Sequence, residues 1–437
     1  MAETRAVEVR EAGRRLWRRG SRRVRRAAGQ RRGVVAYLAV LGPGIIAANA
    51  GNDASGIASY STVGARYGYS LLWILVPIAI SLGLVQGMCA RMGVVTGKGL
   101  ADLIREQFGV RWTMLVMLAL FVANTGVIVS EFVGIAAATE MFGVSRLYSV
   151  PLAGAAIWWL VVKGSYKRVE RVFLLMSLVF LGYIVSAFLA RPDWREVGRE
   201  FVTPEFSFEP GYLYMVMVLI GTTITPFMQV FVQSSVAEKN VRREDYPLVR
   251  ADVWGGTIFA GAIACFIVIA AAATLHARGV DVETAADAAR ALEPVAGKFA
   301  QVLFATGLLG AAMLAVGVLP LATAYSISEA LGFEKGVSRT FREAPIFIGI
   351  FTFLIAAGAF VAMLPGLPVI RVLLFTQFVN GLLLPVILVA VLRLASDKEL
   401  MGAYANGRVY NAAAWLIAGL VSTLSVALIV LTVLGGD

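Results

Sequence analysis

Residues 42–62 read GPGIIAANAGNDASGIASYST, one acid, Asp53, in a run with almost no bulky side chain. Gly44, Gly51, Gly56, Ser55, Asn49 and Asn52 make this a poor helix and let other backbones come close. Apolar sequence lies on both sides, so Asp53 falls deep inside an expected membrane span. A carboxylate there costs at least about 2.5–3.5 kcal/mol on insertion scales and usually marks an ion or substrate path. Small residues by themselves would imply tight helix packing. The acid shifts the reading to an unwound segment lining a cavity.

The rest of the chain supplies the membrane. It has 437 residues, 59% of them hydrophobic and 15% charged, with a mean hydropathy of +0.77. An ordinary soluble protein carries about 25% charged residues. Apolar runs near the ~20 residues needed to cross a bilayer recur to the C-terminus. They give eleven expected spans, near 35–64, 69–92, 112–142, 149–163, 172–190, 211–236, 252–275, 299–328, 345–364, 369–392 and 409–434. The expected fold class is therefore an all-α polytopic membrane protein. Cys89 and Cys265 lie within apolar runs, where a thiol behaves as a small hydrophobe, so a disulfide scaffold is excluded.

The net charge of +11 is concentrated at one end, because residues 1–33 hold twelve arginines and three glutamates. Such a tail before the first span reads as a cytoplasmic anchor on anionic lipid, at about 1 kcal/mol per basic residue, rather than as a nucleic-acid site. No short apolar stretch with a small-residue cleavage site follows it, so it is not read as a signal peptide. With the N-terminus inside, the inner segments hold 30 Lys and Arg and the outer loops nine. The positive-inside rule then places the N-terminus in the cytoplasm and the C-terminus outside.

A second irregularity lies in the sixth span, Gly221-Thr222-Thr223-Ile224-Thr225-Pro226-Phe227. Proline has no N–H, so Pro226 frees the carbonyl of Thr222, and it pushes Thr225 away from helical geometry. The first and sixth spans hold corresponding places in two five-span halves, 34–190 and 211–394, separated by an outer loop at 191–210. Residues 395–437 form an inner loop and the eleventh span. Interrupted helices at matched positions of inverted repeats point to a midplane site in secondary transporters. An acid, freed carbonyls and hydroxyls suit a hard cation.

These residues bring the sequence close to a known family. It resembles the Nramp divalent-metal transporters from Gly42 to about Gly402, through GPG at 42–44, GYSLLW at 68–73, VVTGKGLADLIREQFG at 94–109 and SEFVGIAAATEMFG at 130–143. TQFVNGLLLP at 376–385 and SDKELMG at 396–402 complete the set. The resemblance implies a LeuT-type inverted repeat, a prokaryotic plasma membrane, a monomer, and a transported metal ion with no cofactor or enzymatic reaction.

The family carries Asp-Pro-Gly-Asn in the first span, its Asp and Asn binding metal, and Met-Pro-His in the sixth. Here the matches are Asp53-Ala54-Ser55-Gly56 and Thr225-Pro226-Phe227. The acid is kept, while the Asn, the Met and the His are lost. The family's further carbonyl ligand falls on Thr222, and its tenth-span glutamine on Gln377. The expected metal-binding set is Asp53, Ala54, Gly56, Thr222 and Thr225, backed by Gln377, Asn380, Asn52 and Glu131. Loss of the thioether removes the preference for soft ions, and fewer direct ligands suit a partly hydrated Mg²⁺. That pattern is similar to the Nramp-related magnesium transporters. Mn²⁺ stays open, as does Al³⁺, since a plant aluminium-transporting branch also lacks the Met.

The family's proton route uses the sixth-span His and an acid three residues before the third-span Glu. Those positions are Phe227 and Ile128 here, while Glu131 remains as a structural or vestigial carboxylate. An uncoupled uniporter working by alternating access is expected. The competing readings are a proton-coupled Mn²⁺ importer, an organic-cation or amino-acid carrier of the same architecture, a metal sensor without flux, and an intramembrane hydrolase. The last would need a second buried Asp or a span histidine, and the only histidine, His276, falls in an outer loop.

Overall fold

A computed structural model describes residues 42–283, 287–288 and 300–434. The basic tail, the first residues of the first expected span and part of the loop after His276 lie outside the described residues. Every regular element among the described residues is helical.

The first span is two helices. α1 (Pro43–Asn49) opens with proline at its first turn, and α2 (Ala54–Tyr67) begins after a break at residues 50–53. Then follow α3 (Leu72–Thr96), the short α4 (Leu100–Phe108), α5 (Val110–Glu140) and α6 (Arg146–Lys163). α7 (Tyr166–Met176) and α8 (Leu181–Leu189) are joined by a 3₁₀ turn at Ser177–Phe180. The expected loop at 191–210 contains a helix, α9 (Trp194–Val202), whose first turn Asp193 caps by accepting from Arg195 N at 2.9 Å.

The sixth span is again two helices, α10 (Pro210–Thr223) and α11 (Pro226–Lys239). α12 (Tyr246–Thr274), α13 (Ala300–Leu331), α14 (Pro345–Ala362), α15 (Val369–Ser396), the one-turn α16 (Lys398–Met401) and α17 (Arg408–Leu434) complete the chain. Among the described residues, nine helices are long and apolar enough to cross a membrane, with the interrupted α10–α11 counted as one of them. Two expected spans fall outside that set. The halves of the first span are 7 and 14 residues long, each short of the ~20 a crossing needs. α6 has 18 residues but carries Arg146 and Lys163 at its ends.

Packing around the first span is backbone against backbone. A Cβ on Gly44 would lie 2.7 Å from Val253 Cα, and one on Gly256 would lie 2.7 Å from Ile45 Cα, so α1 and α12 cross with no side chains between them. At that crossing Asp252 of α12 accepts from Gly42 N at 3.0 Å and Gly44 N at 2.7 Å, which caps the start of α1. Asp252 thus satisfies amide donors that a helix start leaves unpaired. α5 packs along α13, and α10 packs along α15. A Cβ on Gly221 of α10 would collide with the Gln377 carbonyl oxygen of α15. This contact sets the tenth span directly against the sixth-span break.

Candidate cation site at the paired helix breaks

The first break pairs the amides of residues 50–52 and leaves oxygens. Ala50 N reaches Ile46 O at 2.9 Å, and Asn52 N reaches Asn49 O at 3.0 Å, closing the end of α1. Among the described residues, no backbone N–H is bonded to the carbonyl oxygens of Ala50, Gly51 or Asn52. Asp53, fully buried, sits in extended geometry at the start of α2 and accepts from Gly56 N through Oδ1 at 2.6 Å. The next amides are held from outside. Glu131 of α5 accepts from Ala54 N at 2.9 Å through Oε2, and from Ser55 Oγ at 2.8 Å and Ser55 N at 3.3 Å through Oε1. α5 can come this close because Gly134 faces Ala54, where a Cβ would lie 2.5 Å from the alanine methyl.

The sixth break is built differently. Thr225 is extended (φ −67°, ψ 140°), as the following proline requires. α11 starts on Pro226, which has no N–H, so the Thr222 carbonyl loses its helical partner. Of the three hydroxyls, Thr223 Oγ1 pairs with Tyr60 OH at 2.8 Å. The hydroxyls of Thr222 and Thr225 are fully buried and have no hydrogen-bond partner among the described residues.

The two breaks meet over Gly56. A Cβ placed there would lie 2.5 Å from the Gly51 carbonyl oxygen, 3.1 Å from Thr222 Oγ1 and 3.2 Å from Asp53 Oδ1. Three oxygens of three kinds therefore face one Cα that carries no side chain. The Thr222 carbonyl is close by as well, 3.0 Å from where a Cβ on Gly51 would stand. From the tenth span, Gln377 Nε2 reaches Asp53 Oδ2 at 3.5 Å, and Asn380 Nδ2 donates to Gln377 Oε1 at 3.0 Å. Carbonyl ends of α1 and α10 thus turn toward a buried carboxylate, and helix C-termini carry partial negative charge. Among the described residues, no three His, Cys, Asp or Glu side chains gather that could hold a metal ion. Negative charge beside the cradle comes from Asp53, with Glu131 behind the α2 amides.

Asp53, Thr222 and Gln377, each expected from the sequence, come together here. Thr225 and Asn380 are buried in the same region, and Asn52 turns away to donate to Ala260 O at 3.1 Å. Ala54 and Gly56 have a different part from the one expected. Both present N–H groups to carboxylates, and as early residues of α2 their carbonyls point into the helix's own ladder. Gly56 lets these oxygens close in on α2, where a side chain would collide with them, and the unexpected carbonyl is that of Gly51.

Two further participants give little local signal. Tyr60 lies two turns into α2 and would read as core. Met228 brings a thioether to the first break although the family's sixth-span Met is lost at Thr225. Its methyl packs on Gly51, where a Cβ would collide with it, while its sulfur accepts from Gln86 Nε2 at 3.7 Å.

Comparison with known proteins follows the same residues. The family model described as natural resistance-associated macrophage protein-like, Nramp, matches residues 44–431. The chain belongs to the Nramp family. Relatives within it include a divalent metal cation transporter MntH of Deinococcus radiodurans, 29% identical over 410 residues, 90% of each chain. Another MntH, from Ralstonia nicotianae, is 31% identical over 422 residues, 88% of this chain and 89% of its own. A crystal structure of the Eremococcus coleocola manganese transporter, in complex with an aromatic bis-isothiourea compound, superposes with a TM-score of 0.72 at 19% identity. It covers 89% of this chain and 85% of its own. The Nramp chain described here therefore has the LeuT-type fold expected of it, with broken first and sixth helices.

Proposed function

We propose that this Nramp chain imports divalent metal cations, with partly hydrated Mg²⁺ as its preferred cargo, by alternating access and without proton coupling. The observation that carries the reading is the cradle over Gly56, where the Asp53 carboxylate, the Gly51 carbonyl and an unpartnered Thr222 hydroxyl converge on one Cα. One carboxylate with neutral oxygens matches an ion that sheds water reluctantly and is commonly held through one or two carboxylates with waters retained. The methyl of Met228, rather than its sulfur, faces the break. Phe227 and Ile128 are buried apolar side chains where the family's proton route would need titratable ones. Both oxygens of Glu131 are committed to α2. An uncoupled route suffices energetically, because two charges crossing 100 mV gain about 4.6 kcal/mol, roughly three decades of concentration.

The chain is placed in a prokaryotic plasma membrane as a monomer, its N-terminus cytoplasmic, its C-terminus outside, and its basic tail on anionic lipid. Mn²⁺ is the second reading. It is favoured by the manganese and MntH names of the relatives. The test is Mg²⁺ flux into proteoliposomes with an internal pH dye and with Mn²⁺ and Ca²⁺ as competitors. Mg²⁺ uptake with no pH change is expected. Metal-driven acidification would overturn the uncoupled mechanism, and Mn²⁺ uptake indifferent to excess Mg²⁺ would overturn the cargo.

A further inference from the structure

Gln377 and Asn380 are both fully buried, one turn apart on α15. Their amides form a chain ending on the cation site: Asn380 Nδ2 donates to Gln377 Oε1 at 3.0 Å, and Gln377 Nε2 reaches Asp53 Oδ2 at 3.5 Å. In this arrangement Gln377 turns its positive N–H end toward Asp53, the right end for a bare carboxylate and the wrong one for a cation. Asn380 Oδ1, at the far end of this pair of amides, is buried with no hydrogen-bond partner among the described residues.

A cation arriving at Asp53 reverses the demand on Gln377, because the ion repels an N–H and attracts an amide oxygen. The backbone cannot supply the change. The Gln377 carbonyl is jammed against Gly221, and a Cβ on Gly381 would lie 2.8 Å from Met217 O, so α15 is seated on α10 with no slack. Turning the carboxamide about its last bond is the motion left. Once turned, Gln377 offers its N–H to residue 380 and needs an acceptor there. A carboxamide at 380 can meet either state, donating through Nδ2 in one and accepting through Oδ1 in the other.

We propose that Asn380 is a positioning residue that lets Gln377 present its N–H to the empty site and its oxygen to the bound cation. The unpartnered Asn380 Oδ1 is the acceptor held for the second state. This inference rests on the reading of Asp53 as the cation site. Leucine at 380 has similar bulk and supports neither state, serine has a hydroxyl that can donate or accept, and an ionised aspartate can only accept.

The experiment measures concentration-dependent Mg²⁺ and Mn²⁺ uptake by the full chain in proteoliposomes. The variants are Asn380→Leu, Asn380→Ser and Asn380→Asp, each made alone and in a Gln377→Leu background. Asn380→Leu is expected to raise KM by about three- to tenfold, the effect of one hydrogen bond. Asn380→Ser should stay near the parent. Asn380→Asp should lower KM and slow turnover, by holding the Gln377 oxygen toward the ion. In the Gln377→Leu background the effects of Asn380→Leu and Asn380→Asp should both vanish, since the coupling of two residues in contact shows as non-additivity.

Equal effects in both backgrounds would make residue 380 a packing or charge effect and overturn the relay. Parental KM in Asn380→Leu would do the same. Should Asn380→Leu fail to insert, the serine and aspartate pair still decides it. Asp53→Ala separates the two claims. Flux abolished by Asp53→Ala together with additive 380 variants sinks only the relay, whereas flux retained in Asp53→Ala removes the site itself.

Discussion

The two helix breaks lie side by side, yet their amide donors are handled in opposite ways. In the first, α2 begins on Ala54, whose N–H must be met, and a buried acid from another helix, Glu131, meets it together with both donors of Ser55. In the sixth, α11 begins on Pro226, which has no N–H, and its start has no side-chain cap. One break carries a charge and uses a second charge to hold its shape. The other is held by proline geometry and leaves two hydroxyls free. In transport, the first should therefore be sensitive to charge and the second to the loss or exchange of a neutral ligand atom.

The largest effect expected is at Asp53. Asp53→Asn keeps the shape and removes the carboxylate facing the Gly56 cradle. Uptake should fall to the background of empty vesicles while the protein remains folded by size exclusion. Substantial remaining uptake would mean that the breaks do not divide the work as described.

Glu131 comes next, and its effect should appear in stability before it appears in selectivity. Glu131→Leu strands buried amides of α2, at about 1–3 kcal/mol for each unmet donor. Glu131→Gln keeps one acceptor oxygen and should cost less. The matched change across the comparison, Thr225→Val, removes a hydroxyl that has no partner and should hardly alter stability. Thermal unfolding in detergent checks the order: Glu131→Leu well below the parent, Glu131→Gln between, Thr225→Val level with it. Equal loss at 131 and 225 would erase the distinction between the breaks.

How much of this was readable beforehand follows from the range of each cause. The breaks were readable because their causes are local: a glycine-rich run around one acid, and a proline after three threonines. The freed Thr222 carbonyl and the extended Thr225 follow from the covalent structure of proline alone. Asp53, Thr222 and Gln377 converge as the family resemblance implied. The roles of Ala54 and Gly56 were not readable, because whether a residue offers N–H, carbonyl or empty space depends on where the helix restarts. Tyr60, Met228 and the direction of the Asn380–Gln377 bond belong to helix crossings, and nothing in the local periodicity of either helix names the partner. Residues 191–210 read as a loop because they lie between two apolar runs and are rich in acids. Asp193 caps a helix there all the same.

A smaller effect is expected at Thr222. Thr222→Val keeps the bulk and removes one of the oxygens facing Gly56. A metal ion held partly through water can substitute a water for one neutral ligand. KM should therefore rise by only about three- to tenfold, with turnover little changed, the loss expected of one neutral contact. Concentration-dependent Mg²⁺ uptake reads it. A complete loss would promote Thr222 to the standing of Asp53 and undo the contrast.

The smallest change is one of preference. Thr225→Met would add a thioether beside the buried, unpartnered hydroxyl position, in a region where Met228 already turns a methyl, not a sulfur, to the break. Soft ligands favour transition metals over alkaline-earth ions. The ratio of Cd²⁺ or Mn²⁺ uptake to Mg²⁺ uptake should rise in Thr225→Met and stay at the parental value in Thr225→Val. The valine control matters because it removes the same hydroxyl without adding sulfur. A shift shared by both variants would come from the lost oxygen. A shift in neither would mean that position 225 faces away from the ion, leaving the cradle to Gly51, Asp53 and Thr222. The proline would then act only by freeing the Thr222 carbonyl.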